Sequence, residues 1–441
     1  MNRETKPFIT GSVKEIPTEW KTPKIKNHAE FINGDRSSNY PSGDDIKTDG
    51  VCFLTTDNIH GMKVDIGRDK TKYITDEKYK AMRGAKLQLN DIVYCLRGSI
   101  GECAINKVLN EGTVASSLTV IRPKESVNPD FLNYYLHSAV VTQQNDNYMN
   151  GTCAANLAAE SVGNYYLLLP DISEQRAIVR YLDAKCAAIN DAIGRHKKSI
   201  EKLEEYKKAI ISDAVIRGIN PQVTMKESGI SGIGMIPSHY LPTRVKFLGT
   251  YRNGLTYSPT DVCDKDEGIL VLRSSNIQNG KIVLEDNVYV NCPVDNRLMV
   301  QNGDILICAR NGSAKLVGKS AIIEDIRATY GAFMMVLRTT AVPKYMYYVL
   351  NSYVMDIYRA SFSTTTVNQL TAGILGNMVI PYCVDKNEQY EIACYLDNKC
   401  SKIDFGIKSH QDIIDKLEEY RKSIIYNAVT GKIDCRTERS Q

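Results

Sequence analysis

A near-duplication of the chain constrains its fold more than any other feature. Residues 174–220 align without a gap onto 388–434, each displaced by 214 positions, and 23 of the 47 aligned pairs are identical. Glu174-Gln175 recurs as Glu388-Gln389, and Tyr181-Leu182-Asp183 as Tyr395-Leu396-Asp397. Two periods of 214 cover 428 of the 441 residues, so one unit is used twice. The stretches between agree more faintly: Ile16-Pro17 then Trp20 returns as Ile236-Pro237 then Tyr240, and 91–97 as 304–310. Pro129 with Tyr134 and Leu136 returns as Pro343 with Tyr348 and Leu350. The resulting plan is a variable region 1–173, a repeated segment 174–220, a second variable region 221–387, a second repeated segment 388–434 and a tail 435–441.

Within the first repeated segment Leu182, Cys186, Ile189, Ile193, His196, Ile200, Leu203, Lys207, Ile210 and Ala214 keep a 4,3 spacing. Leu396, Ile403, Ile407, His410, Ile414 and Leu417 continue the same seam in the second. That is a heptad pattern, and its roughly 33 residues predict a helix about 50 Å long. Each helix has one apolar stripe and no other partner of matching length, so the two are expected to pair, antiparallel, with pseudo-twofold character. His196 and His410 occupy equivalent seam positions, which suits a polar layer that fixes register better than catalysis.

The variable regions read as α/β (α+β). Residues 92–96 and 305–309 are apolar, β-branched runs bounded by turn residues, as buried strands require. Short helices are expected after Pro129 and Pro343, where apolar residues fall at i, i+1, i+4 and i+5.

Composition narrows function mainly by exclusion. Apolar residues make up 43% and charged residues 24%, ordinary globular values, and 55 basic against 51 acidic side chains leave a formal charge of only +4. No run of residues is apolar enough to span a membrane and the start lacks a secretory pattern, so a cytoplasmic protein with reduced cysteines is expected. The twelve cysteines form no C-x-x-C pair, and no metal site is indicated. The stretch 312–320, ending Gly318-Lys319-Ser320, resembles a phosphate loop but holds five residues between its glycines instead of four, and the first copy lacks the Lys-Ser altogether. With no other nucleotide, hydrolase or methyltransferase fingerprint, a non-catalytic chain is expected.

The tandem layout now carries a resemblance. Leu167-Leu168-Leu169-Pro170 before Glu174-Gln175, and Val379-Ile380-Pro381 before Glu388-Gln389, each open a heptad segment. The stretch Ser228-Gly229-Ile230 through Met235-Ile236-Pro237-Ser238-His239-Tyr240 opens the second half. This pattern is similar to the specificity subunit of type I restriction-modification enzymes, although Tyr240 stands where that family usually has Trp. The resemblance implies two target-recognition domains that each read one half of a bipartite site in double-stranded DNA, and paired helices that set the unread spacer. It also implies two docked methyltransferase subunits and added restriction subunits, to which S-adenosylmethionine, ATP and Mg²⁺ would belong. The competing reading is a coiled-coil scaffold whose two end domains bind protein or another ligand.

Candidate DNA contacts are basic and amide- or hydroxyl-bearing side chains at strand ends. Arg97 with Ser99, and Arg310 with Ser313, follow buried strands; a structural ion pair is the alternative for the arginines. Thr56 and Asn58, and Arg273, Ser275 and Asn276, follow shorter strands, where turn capping competes with base contact. The basic run holding Arg68, Lys70, Lys72, Lys80 and Lys86 suits phosphate contact or a solvated face. Polar runs at Asn147, Asn150, Gly151, Thr152 and Asn156, and at 363–366 with Asn368, are loops that could reach a target. Glu174, Gln175, Glu388 and Gln389 suit either helix capping or methyltransferase docking.

Overall fold

A computed structural model describes residues 3–10, 13–67, 69–149, 157–359, 362 and 368–436. It divides into two compact units, one of residues up to Arg195 together with those from Asp412 onward, the other of His196–Gln411. Each unit is thus built from one variable region, the first half of the helix that follows it and the second half of the other helix.

In the first unit the run expected as a buried strand is Ile92–Cys95, buried at every position. It lies between Leu118–Pro123 and Cys103–Ile105 in an antiparallel four-stranded sheet that Ala29–Asn33 completes. A three-stranded sheet pairs Val51–Leu54 with Lys72–Ile74 and, in parallel, with Thr113–Val114. Phe53, Leu54, Val93, Val114 and Val120 share one core between the two sheets. Such two-sided burial explains why 92–95 reads as an unbroken apolar run. Helix Pro129–Leu136 starts with Pro at its first turn and an Asn128 side chain that accepts from the Asp130 and Phe131 N–H groups.

The second unit repeats the plan. Ile305–Cys308, again wholly buried, lies between Met334–Thr339 and Ser320–Ile322, with Gly249–Asn253 at the edge. Ile269–Leu272 pairs antiparallel with Val288–Val290 and in parallel with Ala328–Tyr330. Even the opening hairpins agree in detail: Thr5↔Pro17 and Thr10↔Val13 in one, Met225↔Pro237 and Ile230↔Ile233 in the other, with an irregularity at the same place.

The long helices are Ile172–Arg217 and Lys386–Val429. Each stops at a glycine in the left-handed region, Gly218 at φ 73° and Gly431 at φ 74°, a conformation that costs other residues a Cβ clash. The expected seam positions are buried or half-buried on both helices. In the second unit the helices run antiparallel: His196 faces His410 with Nδ1 atoms 2.7 Å apart, and Lys207 donates to Asp404 at 2.6 Å. The repeat-equivalent pair in the first unit, Arg421 and Asn190, is hydrogen-bonded at 2.8 Å. Ile211, Ala214 and Val215 from the end of one helix share a core with Ile392, Leu396 and Cys400 from the start of the other.

Candidate nucleic-acid interface

The strand that ends at Arg97 or Arg310 is anchored at its other end by a buried ion pair. Asp91, 1% exposed, takes two hydrogen bonds of 2.8 Å from Arg122, and Asp304, 2% exposed, takes bonds of 2.8 and 2.7 Å from Arg338. Both carboxylates also accept a backbone N–H, from Gln88 or Gln301. Two-pronged pairing of this kind compensates a buried charge and holds the strand in place. Arg122 and Arg338 thus supply the ion pair that anchors this end of each strand. Arg97 and Arg310 lie two residues beyond the other ends of the strands and are exposed.

In the second unit the predicted residues converge. Arg273, Ser275 and Arg310 line a groove of about 1140 Å³, with Tyr257, Asn311, Phe333 and Asn368 among the other lining residues. The Arg310 guanidinium lies 5.2 Å from the centroid of Phe333, a ring that is 59% exposed. Arg273 pairs with Asp286 at 2.7 Å. Asn368 donates to the Gly312 carbonyl and Asn311 to the Ser274 hydroxyl, which braces the groove wall. Ser313 is exposed on the adjoining turn. A groove with the exposed Arg310 guanidinium beside the exposed Phe333 ring can take phosphate oxygens and base edges or faces.

Other candidates fall differently. Asn58 and Asn276 are buried, at 0% and 1% exposure. Each accepts from a backbone N–H three residues earlier, of Thr55 or Arg273, and donates to a carbonyl seven residues later, of Asp65 or Val283, all at 2.9 Å. These amides are turn caps, and the expectation of base contact is corrected, because their hydrogen-bonding capacity is spent inside the protein. Thr56 is half-buried in the same turn, whereas Ser99 and Ser275 are exposed. Lys70, Lys72 and Lys80 are exposed; the first two line a shallow site with Asp57, His60 and Asp69, and Lys70 lies 3.4 Å from Asp65. Arg68, Asn150, Gly151, Thr152, Asn156 and 363–366 lie outside the described residues. Lys319, the would-be phosphate-loop lysine, donates to the carbonyls of Ser274 and Ile277 and precedes a strand.

The four residues expected to cap a helix or dock a partner turn inward. Asp171 caps the first long helix by accepting from the Ser173 and Glu174 N–H groups, and Asp385 caps the second through Asn387. Gln175 accepts from the Asn128 N–H and donates to the Pro170 carbonyl; Gln389 accepts from the Val342 N–H and donates to the Cys383 carbonyl. Glu174, 1% exposed, is held by Arg3 at 2.6 and 2.9 Å and by the Trp20 indole at 3.0 Å. Glu388 is held by the Tyr240 hydroxyl at 3.0 Å, His239 at 2.7 Å and the Cys383 thiol at 3.2 Å. These side chains clamp each variable domain to the start of its helix, so burial corrects the docking expectation for Glu174, Gln175 and Gln389. Tyr134 and Tyr348 add a second tie by donating to Asp183 and Asp397 at 2.7 Å; burial first, then that bond, raises both phenols.

Burial pushes the Cys95 thiol up to about 12, and none of the eleven described cysteines forms a disulfide. Sequence reasoning missed Tyr257 and Phe333 in the groove, because a single exposed aromatic carries no periodic signal.

Comparison with known proteins agrees with this architecture. Residues 17–204 match the model of the type I restriction modification DNA specificity domain. The type I restriction enzyme EcoKI specificity subunit of Escherichia coli (strain K12) is 21% identical over 439 residues, covering 96% of this chain and 91% of that protein. The MjaVIII specificity subunit of Methanocaldococcus jannaschii is also 21% identical, over 95% of this chain and 94% of its own. A chain solved in work on complex assembly and conformational transition of the type I R-M system shares the fold, with a TM-score of 0.68 at 16% identity, covering 95% of this chain and 99% of that one. The chain is thus similar to type I restriction-modification specificity subunits over nearly its whole length. No helix among the described residues is long and apolar enough to cross a membrane.

Proposed function

We propose that this chain is the DNA-reading, non-catalytic subunit of a type I restriction-modification complex. Each variable domain reads one half of a bipartite target in double-stranded DNA, and the paired helices set the length of DNA left unread between the halves. The observation that carries this reading is the duplicated α/β domain, each copy clamped to a heptad helix, with a groove in the second copy that presents Arg310 beside exposed Phe333. A two-part reader needs two such surfaces; a scaffold does not need a cationic groove.

Methyltransferase subunits dock on the outer faces of the helices, where Tyr206 and its repeat counterpart Tyr420 are each 56% exposed. Large exposed rings at equivalent positions suit two copies of one partner. Restriction subunits join that assembly, and S-adenosylmethionine, ATP and Mg²⁺ act on those partners, not on this chain.

The test is Arg310→Ala in the complex with its methyltransferase, on duplexes carrying the target found by methylome sequencing. An arginine that reads a base or holds a phosphate contributes about 1–3 kcal/mol, so affinity should fall roughly 5- to 150-fold. A phosphate role flattens the salt dependence of binding, and a base role relaxes preference at one position in one half-site. Unchanged affinity and preference would remove the groove from the interface.

A further inference from the structure

The two clamps are built on one plan but neutralise their glutamates differently, and that difference points to a metal. In the first unit Glu174 receives two hydrogen bonds from Arg3, with Arg436 and Arg3 both at the neighbouring Glu19. The matching hairpin registers place Val223 at the position of Arg3, His239 at that of Glu19 and Tyr240 at that of Trp20. Lys21 pairs with Leu169 as Leu241 pairs with Tyr382, and the Gln175 and Gln389 amides donate to the carbonyls of Pro170 and Cys383. Cys383 therefore stands where the first copy has Pro170. The second copy has lost its permanent cation and gained an imidazole and a thiol at the same carboxylate.

We infer that His239, Cys383 and Glu388 form a binding site for one Zn²⁺ ion, which takes the place of Arg3 in clamping the second domain to its helix. The three ligand atoms lie within 4.8 Å of one another. The Glu388 Oε2 atom is 2.7 Å from His239 Nε2 and 3.2 Å from Cys383 Sγ. Zinc bonds of about 2.0–2.3 Å at tetrahedral angles put ligand atoms roughly 3.3–3.6 Å apart, so His239 and Glu388 must separate by about half an ångström. His239 is 43% exposed and Glu388 20%, which leaves room for that shift and an entry path for the ion. A nitrogen, sulfur and oxygen donor set suits Zn²⁺ better than Mg²⁺ or Ca²⁺, which require oxygen ligands. Binding turns the Cys383 thiol into a zinc-bound thiolate and releases its proton to solvent; the fourth position falls to water or to the Tyr240 hydroxyl. The ligands come from a hairpin, a strand end and a helix start, so no linear spacing announces them.

The test uses the full-length chain, stripped with a chelator and titrated with Co²⁺ and then Zn²⁺. One Co²⁺ per chain should bind with a thiolate-to-metal absorption band that Zn²⁺ abolishes, and Zn²⁺ should raise the melting temperature. His239→Gln, at an exposed position, and Cys383→Ser should each weaken binding at least ten-fold and remove the band, whereas Cys400→Ser should keep it. Absence of binding at millimolar metal, or a band that survives both ligand variants, would overturn the proposal. Altered folding is resolved by melting each variant without metal: His239→Gln keeps an amide N–H that can donate to Glu388, so it should still unfold in one cooperative transition while losing the band.

Discussion

Replacing Arg3 with Met tests how strongly the first domain is clamped to its helix. The change keeps an unbranched aliphatic stem and removes the guanidinium, which lies 5.4 Å from the centroid of the Trp20 ring and makes two hydrogen bonds to Glu174. Glu174, 1% exposed with Arg3 in place, would keep the Trp20 indole as its one remaining side-chain donor among the described residues. Stripping a buried carboxylate of its cation costs about 3–5 kcal/mol. Arg3 itself is 12% exposed and water can follow its loss, so about 3 kcal/mol is the expected figure. Trp20 is the only tryptophan in the chain and lies fully buried at this clamp, so its fluorescence reports the first unit alone. With a urea slope of about 2–3 kcal/mol/M the midpoint should fall by roughly 1–1.5 M. Arg3→Met combined with Glu174→Gln should recover much of the loss, because no charge is then left unpaired. A midpoint that Arg3→Met leaves in place, or a double variant as unstable as the sum of the singles, would refute the reasoning.

Two further outcomes follow from the caps. Asn276→Ala removes a buried amide bonded to the Arg273 N–H and the Val283 carbonyl, and should lower the melting temperature of the second unit by an amount equivalent to about 1–3 kcal/mol; unchanged melting with altered target preference would restore Asn276 as a reader. The Asp171 carboxyl is held below its usual range by the Ser173 hydroxyl and the Glu174 and Ser173 N–H groups. A depressed folded-state value stabilises above the unfolded value near ~4 and is lost as pH falls below it. Asp171→Ala should therefore cost about 1 kcal/mol at neutral pH, read by Trp20 fluorescence, and progressively less below about pH 4.

The elements with strong periodicity were legible from sequence. The heptad seam, the buried strands at 92–95 and 305–308 and the proline-led helices each follow from a pattern of apolar residues that has one physical solution. Duplication was legible too, but not that each compact unit takes half of each helix, since exchange of helix halves leaves no trace in local pattern. At the candidate site, Arg310, Arg273 and Ser275 were found because strand ends and Gly/Ser turns are visible in sequence. Asn58 and Asn276 were ambiguous because base contact and turn capping require the same amide, and only burial decides between them. Glu174 and Glu388 looked like surface charges at helix starts; their partners, Arg3 and His239, lie 171 and 149 residues away, beyond any local reading.

The central claim is that two domains each read one half of a divided target. Exchange of residues 221–387 for the matching region of a relative with a different target, followed by methylome sequencing of the host, tests it most directly. The account predicts a methylated site in which one half and the spacer are retained while the other half changes. A site changed in both halves, or in neither, would contradict it.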